Sequence, residues 1–284
     1  MKKSVWKKVT GLGLVLMLGA SVLAGCGAGK TSEGASQGGQ AASGAAAGTV
    51  AKIKERGKFV VGVKYDLNLF GLKDPATGNV EGFDIDIAKA IAKKVLGDEN
   101  KIELKEVTSK TRIPMLKNGE IDAIIATMTV TEERKKEVDF SDIYFMAGQS
   151  LLVKKDSPIN GLKDLQKGMK VVTAKGSTSA KNIREKAPDV EVLEFENYAE
   201  AFTALKAGQG DALTTDNALL YGMAKQDPNY RVTEETFTEE PYGIAINKGD
   251  AEFVKTVNDL LKEMKDNGEY DKIYEKWIGE KPKK

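Results

Sequence analysis

The sequence predicts an α/β protein built from two similar lobes, and three observations carry that prediction. The first is a repeat: Leu116, Lys117, Gly119, Asp122 and Ala123 return as Leu205, Lys206, Gly208, Asp211 and Ala212, at a constant offset of 89 residues. The second is that each copy reads as a helix end, a glycine stop and a short apolar run, Ala123 to Ala126 or Ala212 and Leu213, as a buried parallel strand does. The third is that polar residues follow at once, and the same offset sets Thr127 on Asp216. Open α/β sheets bind ligands just past the carboxyl ends of their strands. The repeat therefore predicts one small ligand between two lobes, with Thr127, Thr129 and Arg134 on one side and Asp216 on the other.

In chain order, the first element is a targeting segment. Lys2, Lys3, Lys7 and Lys8 precede an apolar run from Gly11 to Val22, and Leu23-Ala24-Gly25-Cys26 follows. A basic start, a short apolar stretch and small residues make residues 1–25 a signal peptide; the run is too short to span a bilayer. Cys26 is the sole cysteine and cannot be half of an internal disulfide. Leu23 to Cys26 resembles the lipobox of bacterial lipoproteins, which implies cleavage before Cys26 and a lipid anchor on it. Residues 26–50 continue with Gly, Ala, Ser and Gln, too poor in large apolar side chains to fold. They read as a tether spanning roughly 25 Å root mean square. Gly25 to Ser32 imitates a phosphate-binding loop, but Gly25 is one residue too close to Gly29 and no strand precedes it.

Past residue 25 the chain carries 39 basic and 42 acidic residues with no long basic run, which argues against a nucleic-acid partner. Lys58 to Val63 reads as a strand, and Lys64 to Gly82 as a loop. Ile85, Ala88, Ile91, Ala92 and Val95 then recur at helical spacing, with Asp84 as the expected N-cap and Gly97 as the stop. Asp84 and Asp86 stand two apart and do not share a helix face, so they read as cap and dipole partners rather than as acid/base or metal groups.

The segment Gly82 to Val95, GFDIDIAKAIAKKV, is similar to the signature of family 3 extracellular solute-binding proteins, the amino-acid receptors of ABC importers. The resemblance extends from Lys58 to Gly279, through TRIPMLKNGEIDA, TMTVTEERKKEVDFSD, the Gly-Ser-Thr loop at 176–178 and the closing EYDKIYEKWIG. Within the family the chain most resembles the glutamine and glutamate receptors of Gram-positive bacteria. The resemblance implies an α/β fold of the periplasmic-binding-protein type II (Venus flytrap) kind, two lobes joined by two hinge strands. The crossings then fall near Tyr144 to Gly148 and Thr238 to Tyr242. Lobe 1 would comprise residues 51–145 and 241–284, and lobe 2 residues 146–240.

A free amino acid brings an α-carboxylate and an α-ammonium, and a closed cleft must pair both because an unpaired buried charge is costly. Arg134 suits the carboxylate. Its planar fork bonds both oxygens, and it sits in the first turn of a helix that Thr131 would cap, where a cation opposes the helix dipole unless an anion is near. Lys170 to Thr173 reads as a strand, and Lys175 to Ser179 as a turn exposing N–H groups at the start of a helix over Ala180 to Lys186. Taken alone, that turn is equally ordinary capping; the resemblance assigns Thr178 and its neighbour Ser177 to the α-carboxylate. Asp216 taken alone reads more readily as an N-cap for a helix over Asn217 to Lys225; its register with Thr127 and the resemblance reverse that and assign it the α-ammonium. The resemblance gives Thr127 and Thr129 further hydrogen bonds from lobe 1.

Arg112 and Lys64 remain for the ligand's side chain. In receptors for acidic amino acids an Arg in the similar motif meets the side-chain carboxylate, which points to glutamate or aspartate; glutamine stays open, because its amide oxygen can accept from the same Arg and similar proteins are commonly glutamine receptors. Phe83 is expected part in the core and part against the ligand's methylenes, with Tyr65 as a second candidate wall. The chain has no histidine and no cysteine beyond Cys26, which removes Ser–His and Cys–His pairs and the common zinc sites. No catalytic residue, metal or cofactor is expected. A dehydratase on the same fold would have no acid to use beyond Asp216. A sensor fused to its own kinase would need a downstream membrane span, whereas Phe253 to Lys284 is amphipathic and charged. The expectation is a monomeric lipoprotein, anchored at the outer face of the cell membrane, that binds glutamine or glutamate and delivers it to an ABC permease.

Overall fold

The computed structural model describes residues 48–279 and Pro282. Cys26, the signal peptide and all but the end of the tether lie outside the described residues. The first helix, α1 (Thr49–Arg56), leads into β1 (Phe59–Val63), all five residues of which are buried. A run of Phe and Val with both faces covered is what a central parallel strand requires.

Where the sequence predicts only a loop, β2 (Asp66–Leu67), β3 (Gly71–Lys73) and β4 (Val80–Glu81) form an antiparallel meander. Strands of two or three residues among Gly, Asp and Pro carry no period-two signal. The helix that follows, α2 (Phe83–Leu96), starts earlier than expected, with Gly82 and not Asp84 at its N-cap. Gly82 has φ 153°, and a Cβ there would lie 2.1 Å from the Phe70 carbonyl oxygen, so the position admits only glycine. Asp84 is instead in the first turn with its carboxylate turned inward. Gly97, at φ 74°, stops the helix as expected.

Lobe 1 continues with β5 (Ile102–Glu106), α3 (Arg112–Lys117), β6 (Ala123–Ile124), α4 (Glu132–Lys135) and β7 (Val138–Phe140). The chain then crosses through β8 (Phe145–Ala147) into β9 (Gln149–Lys154). Lobe 2 is built from β10 (Lys170–Ala174), α5 (Thr178–Lys186), β11 (Glu191–Phe195), α6 (Tyr198–Lys206), β12 (Ala212–Asp216), α7 (Asn217–Gln226) and β13 (Tyr230–Val232). The return runs through β14 (Glu240–Tyr242) to β15 (Ala245–Asn247), α8 (Ala251–Asp266) and α9 (Glu269–Ile278).

The two sheets have the same plan. One has the order β5-β1-β6-β15-β7 and the other β11-β10-β12-β9-β13. In each, three parallel strands meet an antiparallel strand next to a crossing, β15 or β9. The repeated segments end in β6 and β12, which occupy the same place in the two sheets. Between the sheets, β8 and β14 pair antiparallel as a separate two-stranded ribbon. The result is the two-lobed α/β architecture with two crossing strands.

The C-terminal helices close lobe 1. Phe253, Val257, Leu260, Leu261 and Met264 of α8 recur at helical spacing and are buried, each worth ~1.5–3 kcal/mol of apolar burial. Lys276 Nζ and Trp277 Nε1 both donate to Asp86 Oδ2 at 2.7 Å, tying α9 to the first turn of α2. Asp86 thus has the helix-start placement expected of it. Among the described residues no helix is long and apolar enough to cross a membrane.

Candidate functional site

The cleft between the sheets is lined by Ser109, Arg112, Thr127, Thr129, Ser177, Thr178, Ser179, Tyr198, Thr215, Asp216 and Leu219, with about 240 Å³ of empty space counting what opens to solvent. Its lining is mostly polar. The two faces already touch: Arg134 Nη2 donates to the Gly176 carbonyl at 3.4 Å, and the Tyr198 N–H donates to Asp66 Oδ2 at 2.9 Å.

On the lobe 1 face, β6 ends at Ile124 and the chain breaks into the left-handed region at Thr127, φ 47°. A β-branched residue adopts that conformation only at a cost of about 1–3 kcal/mol. Asp84 holds it there: its Oδ2 accepts from the Thr127 N–H at 3.0 Å, and its Oδ1 accepts from the Tyr144 hydroxyl at 2.9 Å. Burial raises the Asp84 pKa to about 7. Arg112, at the start of α3, is buried and donates from Nη1 to the Ala126 carbonyl at 2.7 Å. Thr131 caps α4 by accepting from the Arg134 N–H, as expected, and the Arg134 guanidinium donates from Nη1 to the Thr129 carbonyl at 2.7 Å.

On the lobe 2 face, Ser177 caps α5: its oxygen accepts from the Ala180 N–H at 3.1 Å, and its hydroxyl donates to the Ala174 carbonyl at 2.7 Å. Asp216 stands at the N-cap position of α7 without making a side-chain cap. Its Oδ2 accepts from the Tyr242 hydroxyl at 2.5 Å. Burial, with the Glu240 charge adding to it, pushes the Asp216 pKa up to about 7.

Three buried side-chain atoms have no hydrogen-bond partner among the described residues: Lys64 Nζ, Arg112 Nε and Asp216 Oδ1. Such groups cost roughly 1–3 kcal/mol each when left unpaired. Lys64 lies 5.8 Å from the ring centroid of Tyr198, which lines the cleft, and burial lowers its pKa to about 8. Arg112 is close enough to Lys64 to lower that pKa further. Burial, and then the Arg134 charge, likewise lower the pKa of Arg112 itself. Arg112 and Asp216 line the cleft and Lys64 stands over the Tyr198 ring at its wall, so two cationic donors and one anionic acceptor without partners suit a ligand with acceptors at one end and a cation at the other.

Residues 59–280 match the family described as bacterial extracellular solute-binding proteins, family 3. A glutamine-binding protein of Geobacillus stearothermophilus is 70% identical over 257 residues, covering 90% of this chain and 98% of the relative. The ABC transporter glutamine-binding protein GlnH of Bacillus subtilis is 62% identical over 276 residues, covering 97% and 99%. Among solved structures, an ancestral arginine-binding protein bound to glutamine superimposes with a TM-score of 0.74 at 50% identity, covering 79% of this chain and 99% of that one.

This chain is a family 3 extracellular solute-binding protein. That membership places its globular part outside the cytoplasm and makes it a solute receptor of the importer kind. Of the residues singled out from the sequence of this family 3 protein, the structure gathers Thr127, Thr129, Ser177, Thr178, Arg112 and Asp216 around the cleft, with Arg134 bridging its two faces and Lys64 behind Tyr198. Phe83 is not there. It is fully buried among Phe70, Tyr144, Phe145, Tyr270 and Tyr274, so it is core and not wall. Tyr65 also lies apart, its hydroxyl donating to the Leu104 carbonyl. The aromatic residue at the cleft is Tyr198, which the sequence reading missed, as it missed Glu240 and Tyr242 of the return strand. Glu240 and Tyr242 alternate along β14 on one strand face; that period was the available signal, hidden because Pro241 divides so short a strand.

Proposed function

We propose that this protein is the substrate-binding receptor of an ABC importer and that its ligand is glutamine, held between the lobes and delivered to a membrane permease. The observation that carries this reading is the trio of unpartnered buried atoms. An α-ammonium pairs with Asp216 Oδ1, and a side-chain oxygen accepts from Arg112 and Lys64. Arg134, which has N–H groups beyond the one on Thr129, takes the α-carboxylate together with the free N–H groups at the start of α5. The relatives named as glutamine-binding favour the amide over a second carboxylate.

Lobe closure on the ligand is the signal the permease reads, because a ligand shifts an open–closed equilibrium only by its preference for one state. The same groups bind rather than react: Asp216, the acid best placed for chemistry, is occupied by the ammonium. Cys26 carries the lipid that keeps the receptor at the outer face of the membrane, and the receptor acts as a monomer. Calorimetric titration of the chain from residue 27, stripped of ligand by unfolding and refolding, tests the reading. Glutamine should bind in the micromolar range or tighter, about −8 kcal/mol or better, ahead of glutamate, aspartate and arginine; no heat from any of the four would contradict it. The anchor is tested separately, since Cys26→Ser should move the protein from the cell surface to the medium.

A further inference from the structure

Glu240 belongs to neither of the two sheets. It lies on the crossing strand β14, is 2% exposed, and collects four donors. Its Oε2 accepts from the hydroxyls of Thr129 at 2.6 Å and Thr178 at 3.0 Å; its Oε1 accepts from Thr238 Oγ1 at 2.7 Å and Asn182 Nδ2 at 2.8 Å. Thr129 comes from lobe 1, and Thr178 and Asn182 from lobe 2. Four converging donors are the arrangement an ionised carboxylate needs, and such a group only accepts.

The consequence lies in the protons. A threonine hydroxyl has one proton to donate. Those of Thr129 and Thr178 are closer to Glu240 than the 3.4 Å that separates the two hydroxyl oxygens, so each is directed to the carboxylate. Thr129 and Thr178 both line the cleft, so the lone pairs that their hydroxyls keep are the acceptors they can offer it. The direction is fixed from behind as well: Asn182 Nδ2 also donates to Gln149 Oε1, and Gln149 Nε2 donates in turn to Thr214 Oγ1 and the Ser179 carbonyl. The network therefore does not reverse without stranding a buried donor.

We infer that Glu240 is a positioning residue that orients the Thr129 and Thr178 hydroxyls as acceptors, so that with Asp216 they make one end of the cleft selective for a ligand ammonium. The inference rests on the amino-acid reading above. It also means that Thr178 meets a ligand carboxylate through its backbone N–H and not its hydroxyl. A glutamine at position 240 keeps the shape but turns an NH₂ toward two hydroxyl donors or toward Asn182 and Thr238, which frees hydroxyl protons to face the cleft.

The test compares L-glutamine with its 2-hydroxy analogue, in which a neutral hydroxyl replaces the ammonium, by competition calorimetry on the natural protein and Glu240→Gln. The variant should lose glutamine affinity by about tenfold, the worth of one charge-assisted hydrogen bond, while binding of the analogue stays nearly constant, so that the preference narrows. Equal losses for both ligands, or an unmoved ratio, would make Glu240 a scaffold residue only and overturn the inference. Should Glu240→Gln not fold, Thr129→Ala in the natural chain carries the same test: a greater loss for glutamine than for the analogue supports an acceptor, and an equal or smaller loss overturns it. Binding of neither compound by the natural protein overturns the amino-acid reading, and this inference with it.

Discussion

The two copies of the repeat fold alike and then diverge at the residue that reaches the cleft. Gly119 and Gly208 both stop their helices at φ 75°. Asp122 and Asp211 both accept the N–H at the start of the neighbouring central strand, from Val60 at 2.8 Å and Lys170 at 2.7 Å. Beyond this point β6 ends after two residues and the backbone turns left-handed at Thr127, whereas β12 runs straight to Asp216 and into α7. The cause lies in their partners. Asp84 captures the Thr127 N–H, while Asp216 stays in register with Gln149 of β9. One framework thus presents a strained peptide edge from lobe 1 and a buried carboxylate from lobe 2. Duplicated scaffold positions here carry unlike chemistry, which suits a zwitterion with unlike ends.

The contrast is broken most severely by Asp216→Asn. Glutamine affinity should fall at least about a hundredfold, since the ammonium loses its charged partner. The ligand-free variant should nevertheless be more stable than the natural protein. The carboxyl has its pKa raised from 3.8 to about 7 in the fold, so its burial costs nothing below pH 3.8, costs progressively more as pH rises toward 7, and keeps that full cost above it. Thermal melts of both proteins at pH 5 and pH 8 should show the larger gain at pH 8.

The same titration sets the pH dependence of binding. Below pH 7 the natural protein must release a proton from Asp216 to receive an ammonium, so affinity should drop by up to about tenfold per pH unit on acidification. Titrations between pH 5 and pH 8 measure this, and a flat profile in the natural protein would remove Asp216 from the ammonium site.

On the lobe 1 side the corresponding change is Lys64→Met. Burial lowers the Lys64 pKa from 10.5 to about 8, so the cost of holding the cation is complete below pH 8 and fades as pH rises toward 10.5; the variant should therefore be more stable at neutral pH. Its affinity for glutamine should fall about tenfold and that for glutamate further, because a hydrogen bond to a charged group is worth ~1.5–3 kcal/mol and a second carboxylate depends more on the cation. Parallel titrations with both ligands decide it.

The mildest change sharpens the comparison. Thr127→Gly relieves the left-handed strain and should raise stability by up to about 1 kcal/mol in urea unfolding, net of glycine's extra chain entropy. Because glycine keeps the N–H that Asp84 holds, glutamine affinity should stay within about threefold. A loss as large as that of Asp216→Asn would show that Thr127 uses its side chain as lobe 2 does.

Much of this was legible in the residues. The offset between Thr127 and Asp216, the glycine stops and the choice of Arg112 and Lys64 all come from spacing, local chemistry or the family resemblance, and Lys64, Arg112 and Asp216 are the residues left with an unpartnered buried atom. What stayed hidden depends on partners distant in the chain. Asp84 reads as a cap because its helix is visible, while the Thr127 amide and Tyr144 hydroxyl it serves stand 43 and 60 residues away. Phe83 reads as half wall because its aromatic neighbours come from residues 70, 145, 270 and 274. Glu240 looks like one more surface acid, since nothing local announces three donors from other segments.

If one zwitterion joins Arg112, Thr129 and Arg134 of lobe 1 to the carboxylate of lobe 2, a crystal structure of the glutamine complex tests it most directly. The α-ammonium should lie on Asp216 Oδ1 and the Thr129 hydroxyl, the α-carboxylate on Arg134, and the side-chain oxygen on Arg112 and Lys64. An ammonium bound away from Asp216, or a ligand touching only one lobe, would contradict it.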